Sequence, residues 1–126
     1  MSERYKKLVR QVGDRFAGRE AVSAAVLASE VGVREDELTA ALKVLEELFE
    51  VPAAWLRPGD RITMLANLPE RMSTLDHFLY DVRLGDRELI LHEMIDDRLA
   101  ELGRPGRWPP LVTIGDFVRV WSGHVP

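Results

Sequence analysis

Val51-Pro-Ala-Ala-Trp-Leu-Arg-Pro-Gly-Asp-Arg-Ile-Thr-Met-Leu65 is the stretch on which the fold turns. Pro58-Gly59-Asp60 marks a tight turn, because proline presets φ at the second position and glycine adds no steric restriction at the third. Two short strands, Ala54 to Arg57 and Arg61 to Leu65, can flank that turn and pair as a hairpin. A plain loop fits the same residues, since the apolar positions neither alternate strictly nor recur at helical spacing.

Outward from this stretch the chain reads as helical. Upstream, Tyr5, Leu8, Val9, Val12 and Phe16 recur at steps of three and four, predicting a helix over 3–17 that Gly18 stops. Ser23 caps a short helix over 23–31, broken by Gly32. A third helix over 35–49 has Leu38, Ala41, Leu42, Leu45, Leu48 and Phe49 as its apolar face, with Glu35, Asp36 and Glu37 suited to the positive end of its dipole.

Downstream, Ser73 or Thr74 opens a helix over 74–83 carrying Leu75, Phe78, Leu79 and Val82. The next, over 86–102, places Leu89, Leu91, Ile95, Leu99 and Leu102 largely on one side, and Gly103 closes it. Arg104-Pro-Gly-Arg-Trp-Pro-Pro110 is not helical, because its three prolines remove donors and constrain their neighbours. Thr113-Ile-Gly-Asp116 is a capping box that opens a last helix over 113–121.

The expected class is therefore mainly α. Its 126 residues, 46% apolar and 30% charged, suffice for a core without staples, and the formal charge of −4 argues against a general nucleic-acid coat or a basic membrane-surface protein. With no cysteine there is no disulfide framework, thiolate metal site or thiol nucleophile, so a reducing cytoplasm is the expected location. No apolar run approaches the roughly 20 residues of a membrane span.

Val22-Ser-Ala-Ala-Val-Leu-Ala-Ser-Glu-Val-Gly-Val-Arg-Glu-Asp-Glu-Leu38 is similar to a helix-turn-helix, and with a hairpin over 55–65 residues 1–66 resemble a winged helix. That resemblance implies a DNA-binding transcriptional regulator whose helix from Glu35 reads the major groove, with Arg34, Lys43, Arg57 and Arg61 as the phosphate-binding candidates. Residues 34–50 carry six carboxylates against two cations, however, which disfavours DNA on that face. The basic excess lies in residues 1–19, where a homodimer is one possible arrangement.

A second resemblance covers 35–126. Phe49-Glu-Val-Pro-Ala-Ala-Trp-Leu-Arg-Pro-Gly-Asp-Arg-Ile62 looks like the end of the first helix and the long loop of an acyl carrier protein. Leu84-Gly-Asp-Arg-Glu-Leu89 is similar to the box that opens that family's second helix, and Thr113-Ile-Gly-Asp-Phe-Val-Arg-Val-Trp-Ser-Gly-His124 to its closing helix, with 26 positions between Arg87 and Thr113. The resemblance implies a carrier-like bundle over 35–126 with an insertion at 63–83, preceded by a helical extension over 1–34. The alternative is a winged helix followed by a three-helix unit. Arg87 stands where the family has its attachment serine, so no phosphopantetheine and no other cofactor is expected. The implied function is non-catalytic recognition of another protein with a basic surface. Its docking residues would be Asp86, Glu88, Glu93, Met94, Asp96, Asp97 and Trp108 on and beside the acidic helix.

Other constellations are weaker. His77 with Asp81 and His92 with Asp96 repeat an i, i+4 pattern, and a fold about Leu84-Gly85 would bring four metal ligands together. Local pairing of imidazole with carboxylate explains the same spacing, and no metal is expected. No phosphate loop, nucleophile elbow or metalloprotease histidine pair is present, so an enzyme is not expected.

Overall fold

The computed structural model describes residues 16–66 and 85–124, together with Arg10 and Asp14. Most of the helix expected over 3–17, the helix expected over 74–83 and the histidine-aspartate pair His77 and Asp81 lie outside the described residues. Within them the chain is mainly helical: α1 (Ala24–Val31), α2 (Glu35–Phe49), a 3-10 turn (Ala53–Trp55), α3 (Thr63–Ala66), α4 (Gly85–Glu101) and α5 (Ile114–Trp121).

Local chemistry accounts for each boundary. Ser23 caps α1, its hydroxyl accepting the Val26 N–H at 3.3 Å. Gly32 ends it at φ 83, a left-handed conformation that strains any residue with a Cβ. α2 begins with the Glu37 carboxylate accepting the Arg34 N–H at 3.0 Å, and its three acidic residues sit on the dipole's positive end. α5 opens with a reciprocal capping box: Thr113 Oγ1 accepts the Asp116 N–H at 3.1 Å, while Asp116 Oδ2 accepts the Thr113 N–H at 2.9 Å.

The stretch 51–65 is not a hairpin. No paired strands flank Pro58-Gly59; the expected strand over Ala54 to Arg57 is the 3-10 turn plus extended chain, and that over Arg61 to Leu65 turns into α3. The only bridge among the described residues joins Arg61 to Thr113, through Ile62 N–H to Val112 O (3.0 Å) and Ile114 N–H to Asp60 O (2.8 Å). The backbone there is satisfied by the start of α5 rather than by a partner strand of its own. Gly115 suits the close approach at this junction: its N–H reaches Pro58 O at 2.9 Å, and an added Cβ would meet the same oxygen at a tight 3.2 Å. The wing that a winged helix needs is therefore absent from residues 54–65.

Arg19 closes the other side of the loop, donating to Asp60 Oδ2 at 2.6 Å and to Trp55 O at 3.1 Å. One core gathers Phe16, Leu27 and Val31 with Leu38, Leu45, Leu56, Leu91, Ile95, Leu99, Ile114 and Phe117, so the buried faces of α1, α2, α4 and α5 meet. No described polar or charged residue is fully buried, although the Ser122 hydroxyl oxygen is itself buried without a hydrogen-bond partner.

Candidate functional site

The site grows from the proline-containing loop between α4 and α5. Gly103, at φ 72, turns the chain out of α4, and the Arg104 N–H returns to Leu99 O at 2.8 Å. The far end is held by Asp116, which accepts from Val112 and Thr113. Between these anchors Trp108 folds back over α4. Its indole N–H donates to Asp96 Oδ1 at 2.8 Å, and its ring meets His92 edge-to-face with centroids 5.1 Å apart. His92 and Asp96, one helical turn apart, share the face that receives it.

Beneath Trp108 lies a cavity of about 230 Å³, lined by Phe49, Ile62, Leu91, Pro110 and Leu111, with Thr63 and His92 as its polar residues besides the indole. Four pieces of the chain contribute: the end of α2, the turn into α3, the middle of α4 and the loop. A second groove of about 150 Å³ between α1 and α2 is lined by Val22, Ala24, Leu27, Leu38, Leu42, Ala53 and Ala54, with Thr39 its single polar side chain. It offers no charged group.

The acidic helix presents a face of one sign. Arg98 donates from Nε to Trp121 O at 3.2 Å and lies over the Trp121 ring. Arg87 donates from Nη1 to Leu48 O at 2.7 Å and to Glu50 Oε2 at 3.1 Å, tying the start of α4 to the end of α2. Both arginines of α4 thus turn toward the protein, leaving Glu93, Asp96, Asp97 and Glu101 exposed. Met94 is half-buried, as is Trp108. Asp86 and Glu88 occupy the first turn of α4, and their side chains lie outside the described residues.

The apolar face expected for this helix needs correction. Leu91, Ile95 and Leu99 are buried at i, i+4 and i+8, but Leu89 is 65% exposed and Leu102 39% exposed. At about 100° per residue, Leu89 projects roughly 200° from Leu91 and cannot share its stripe. Ile90 is exposed as well.

The phosphate-binding candidates are not assembled into one basic surface by their contacts. Arg57 donates to the carbonyls of Ala54 (2.9 Å), Leu56 (3.2 Å) and Glu20, spending its guanidinium on the loop. Arg34 lies 3.5 Å from Asp36 and 3.4 Å from Glu37. Lys43 and Arg61 are exposed. Among the described residues no three His, Asp or Glu side chains could hold a metal ion. His92 and Asp96 instead meet Trp108, an engagement that the sequence signalled only through their shared face and a tryptophan held between Pro105 and Pro109. Nothing signalled the tie that Arg87 makes. His124 lies 3.7 Å from Glu37, a contact between residues far apart in sequence that no local motif signals. No protein-family model, no curated protein and no solved structure matches this chain.

Proposed function

We propose that this chain is a non-catalytic recognition module that docks a protein with a basic surface through α4. The supporting observation is the inward turn of Arg87 and Arg98, which leaves the helix's carboxylates facing solvent beside a half-buried tryptophan and an apolar cavity. Like-signed exposed charge raises association rate and sets orientation, while the apolar ground next to it supplies affinity. The acyl-carrier resemblance is compatible with this reading, and Arg87 gives it a non-prosthetic form. Where a carrier needs a hydroxyl, this chain has a guanidinium holding two helices together.

Cross-linked capture from the native host, comparing wild type with Glu93→Lys/Asp97→Lys, tests it. That pair leaves the Asp96–Trp108 bond intact. The captured partner should be lost in the variant, and lost from wild type near 1 M salt, where the screening length falls to about 3 Å. An unchanged captured set at low salt would remove α4 from the mechanism.

A further inference from the structure

We propose that the cavity under Trp108 receives one aromatic side chain of that partner, with an adjacent lysine or arginine of the partner reaching Asp96. The inference rests on the docking reading above and specifies what the partner must present.

Size comes first. A dry cavity of about 150 Å³ lined by aliphatic and aromatic groups holds benzene, so about 230 Å³ accommodates a phenyl or indole ring. The lining is chemically suited: Phe49, Ile62, Leu91, Pro110 and Leu111 offer apolar contact, and Trp108 offers an aromatic surface for edge or offset packing. Aromatic side chains in such pockets are the groups that carry interface affinity.

Charge then selects what flanks the ring. Asp96 uses Oδ1 to hold the indole of Trp108, which lines the cavity, and its carboxylate has a second oxygen on an exposed residue. Glu93 and Asp97 are exposed on the same helix, whereas Arg104 and Arg107 stand on the loop side. A cation beside the ring is therefore drawn to the α4 rim, and an anion would meet the carboxylates there. The second groove has no aromatic residue in its lining.

Titration of the full chain, followed by ¹H–¹⁵N NMR, separates the parts with three probes: phenethylamine, phenylacetate and butylamine. Phenethylamine should shift the Trp108 indole N–H and the amides of Leu91, His92 and Leu111 in a saturable way. Phenylacetate should bind more weakly by a factor of about two to five, the range of an exposed ion pair, and butylamine should give no saturable shift there. Asp96→Asn should narrow the difference between the two aromatic probes. Leu111→Trp should abolish the response by filling the cavity; if it fails to fold, Thr63→Trp at the exposed rim serves the same purpose.

No saturable response to phenethylamine, or an equal response at Thr39 and Val22 in the other groove, overturns the inference. So does a shift of the same resonances on raising protein concentration alone, which would make a second copy the occupant. Loss of the probe response with acid-dependent capture retained removes the aromatic anchor and leaves the docking reading standing. A probe response with capture indifferent to Glu93→Lys/Asp97→Lys removes the partner as its source.

Discussion

Replacing Asp116 is the sharpest test of how the loop and α5 are held. Its carboxylate accepts the Thr113 N–H at 2.9 Å and the Val112 N–H at 3.1 Å on one oxygen, and Arg119 at 2.5 Å on the other. Thr113 is also the residue bridged to Arg61, so the cap fixes the α5 junction and the turn at 58–62 together. Asp116→Ala strands a half-buried backbone donor at Thr113, costing about 1 kcal/mol, and loses less at exposed Val112, where water substitutes. With a few tenths for the i, i+3 pair to Arg119, the total is about 1.5–2 kcal/mol. At this chain length that lowers Tm by roughly 5–8 °C. Burial alone would raise the Asp116 pKa, but the hydrogen bonds from Thr113 and Val112, with Arg119, outweigh it and hold the folded value below 3.8. A depressed folded pKa means a stabilisation present above the unfolded value and lost as pH falls through the folded one. Urea unfolding of wild type and Asp116→Asn, followed by tryptophan fluorescence, should therefore show a gap at pH 7 that closes as the pH falls from there through the folded value. A gap that stays constant over that interval would refute the assignment of the stabilisation to the ionised carboxylate.

Arg87→Ala should cost about 1–2 kcal/mol in denaturant unfolding, because Leu48 O and Glu50 lose a charged donor. Co-expression with a phosphopantetheinyl transferase should leave the intact mass unchanged; a mass gain abolished by Ser73→Ala would show a displaced attachment site. Ile95→Ala should cost about 2–5 kcal/mol, whereas exposed Glu93→Ala should stay within about 0.5 kcal/mol, both read from urea midpoints. Gel shifts should show no sequence-selective DNA binding, and Arg34→Glu or Arg61→Glu should change nothing. Selective, salt-sensitive shifts abolished by either change would restore the nucleic-acid reading.

Helices were legible wherever a boundary had its own local chemistry. Ser23, Gly32, Gly103 and Thr113-x-x-Asp116 each satisfy or terminate backbone groups within a few residues, so the helices expected over 23–31, 35–49, 86–102 and 113–121 meet α1, α2, α4 and α5 within a residue at either end. The stretch 51–65 was ambiguous because its partners are distant in sequence. Arg19 reaches Asp60 from one direction and Thr113 bridges Arg61 from the other, and neither contact leaves a periodic trace in the residues between Pro52 and Leu65. The misplacement of Leu89 has a different origin. Counting apolar residues in a window hid the fact that two of them lie about 200° apart.

The same distinction between local and distant chemistry explains why the candidate site was only partly visible. Acidic character belongs to composition and is readable, but which charges face outward is decided by tertiary contacts. Arg87 and Arg98 look like two cations diluting an acidic helix until the first is found on the end of α2 and the second on Trp121. Turning inward, each serves packing and simultaneously purifies the sign of the outer face. Trp108 behaves in the same way: three prolines exclude helix and strand, yet the ring's position comes from the Asp96 carboxylate and His92 across the α4 boundary. A variant that frees the indole, Asp96→Ala, should therefore alter the cavity as well as remove a charge. Charge reversal at Glu93 and Asp97 touches the field alone, which is why those two positions carry the docking experiment.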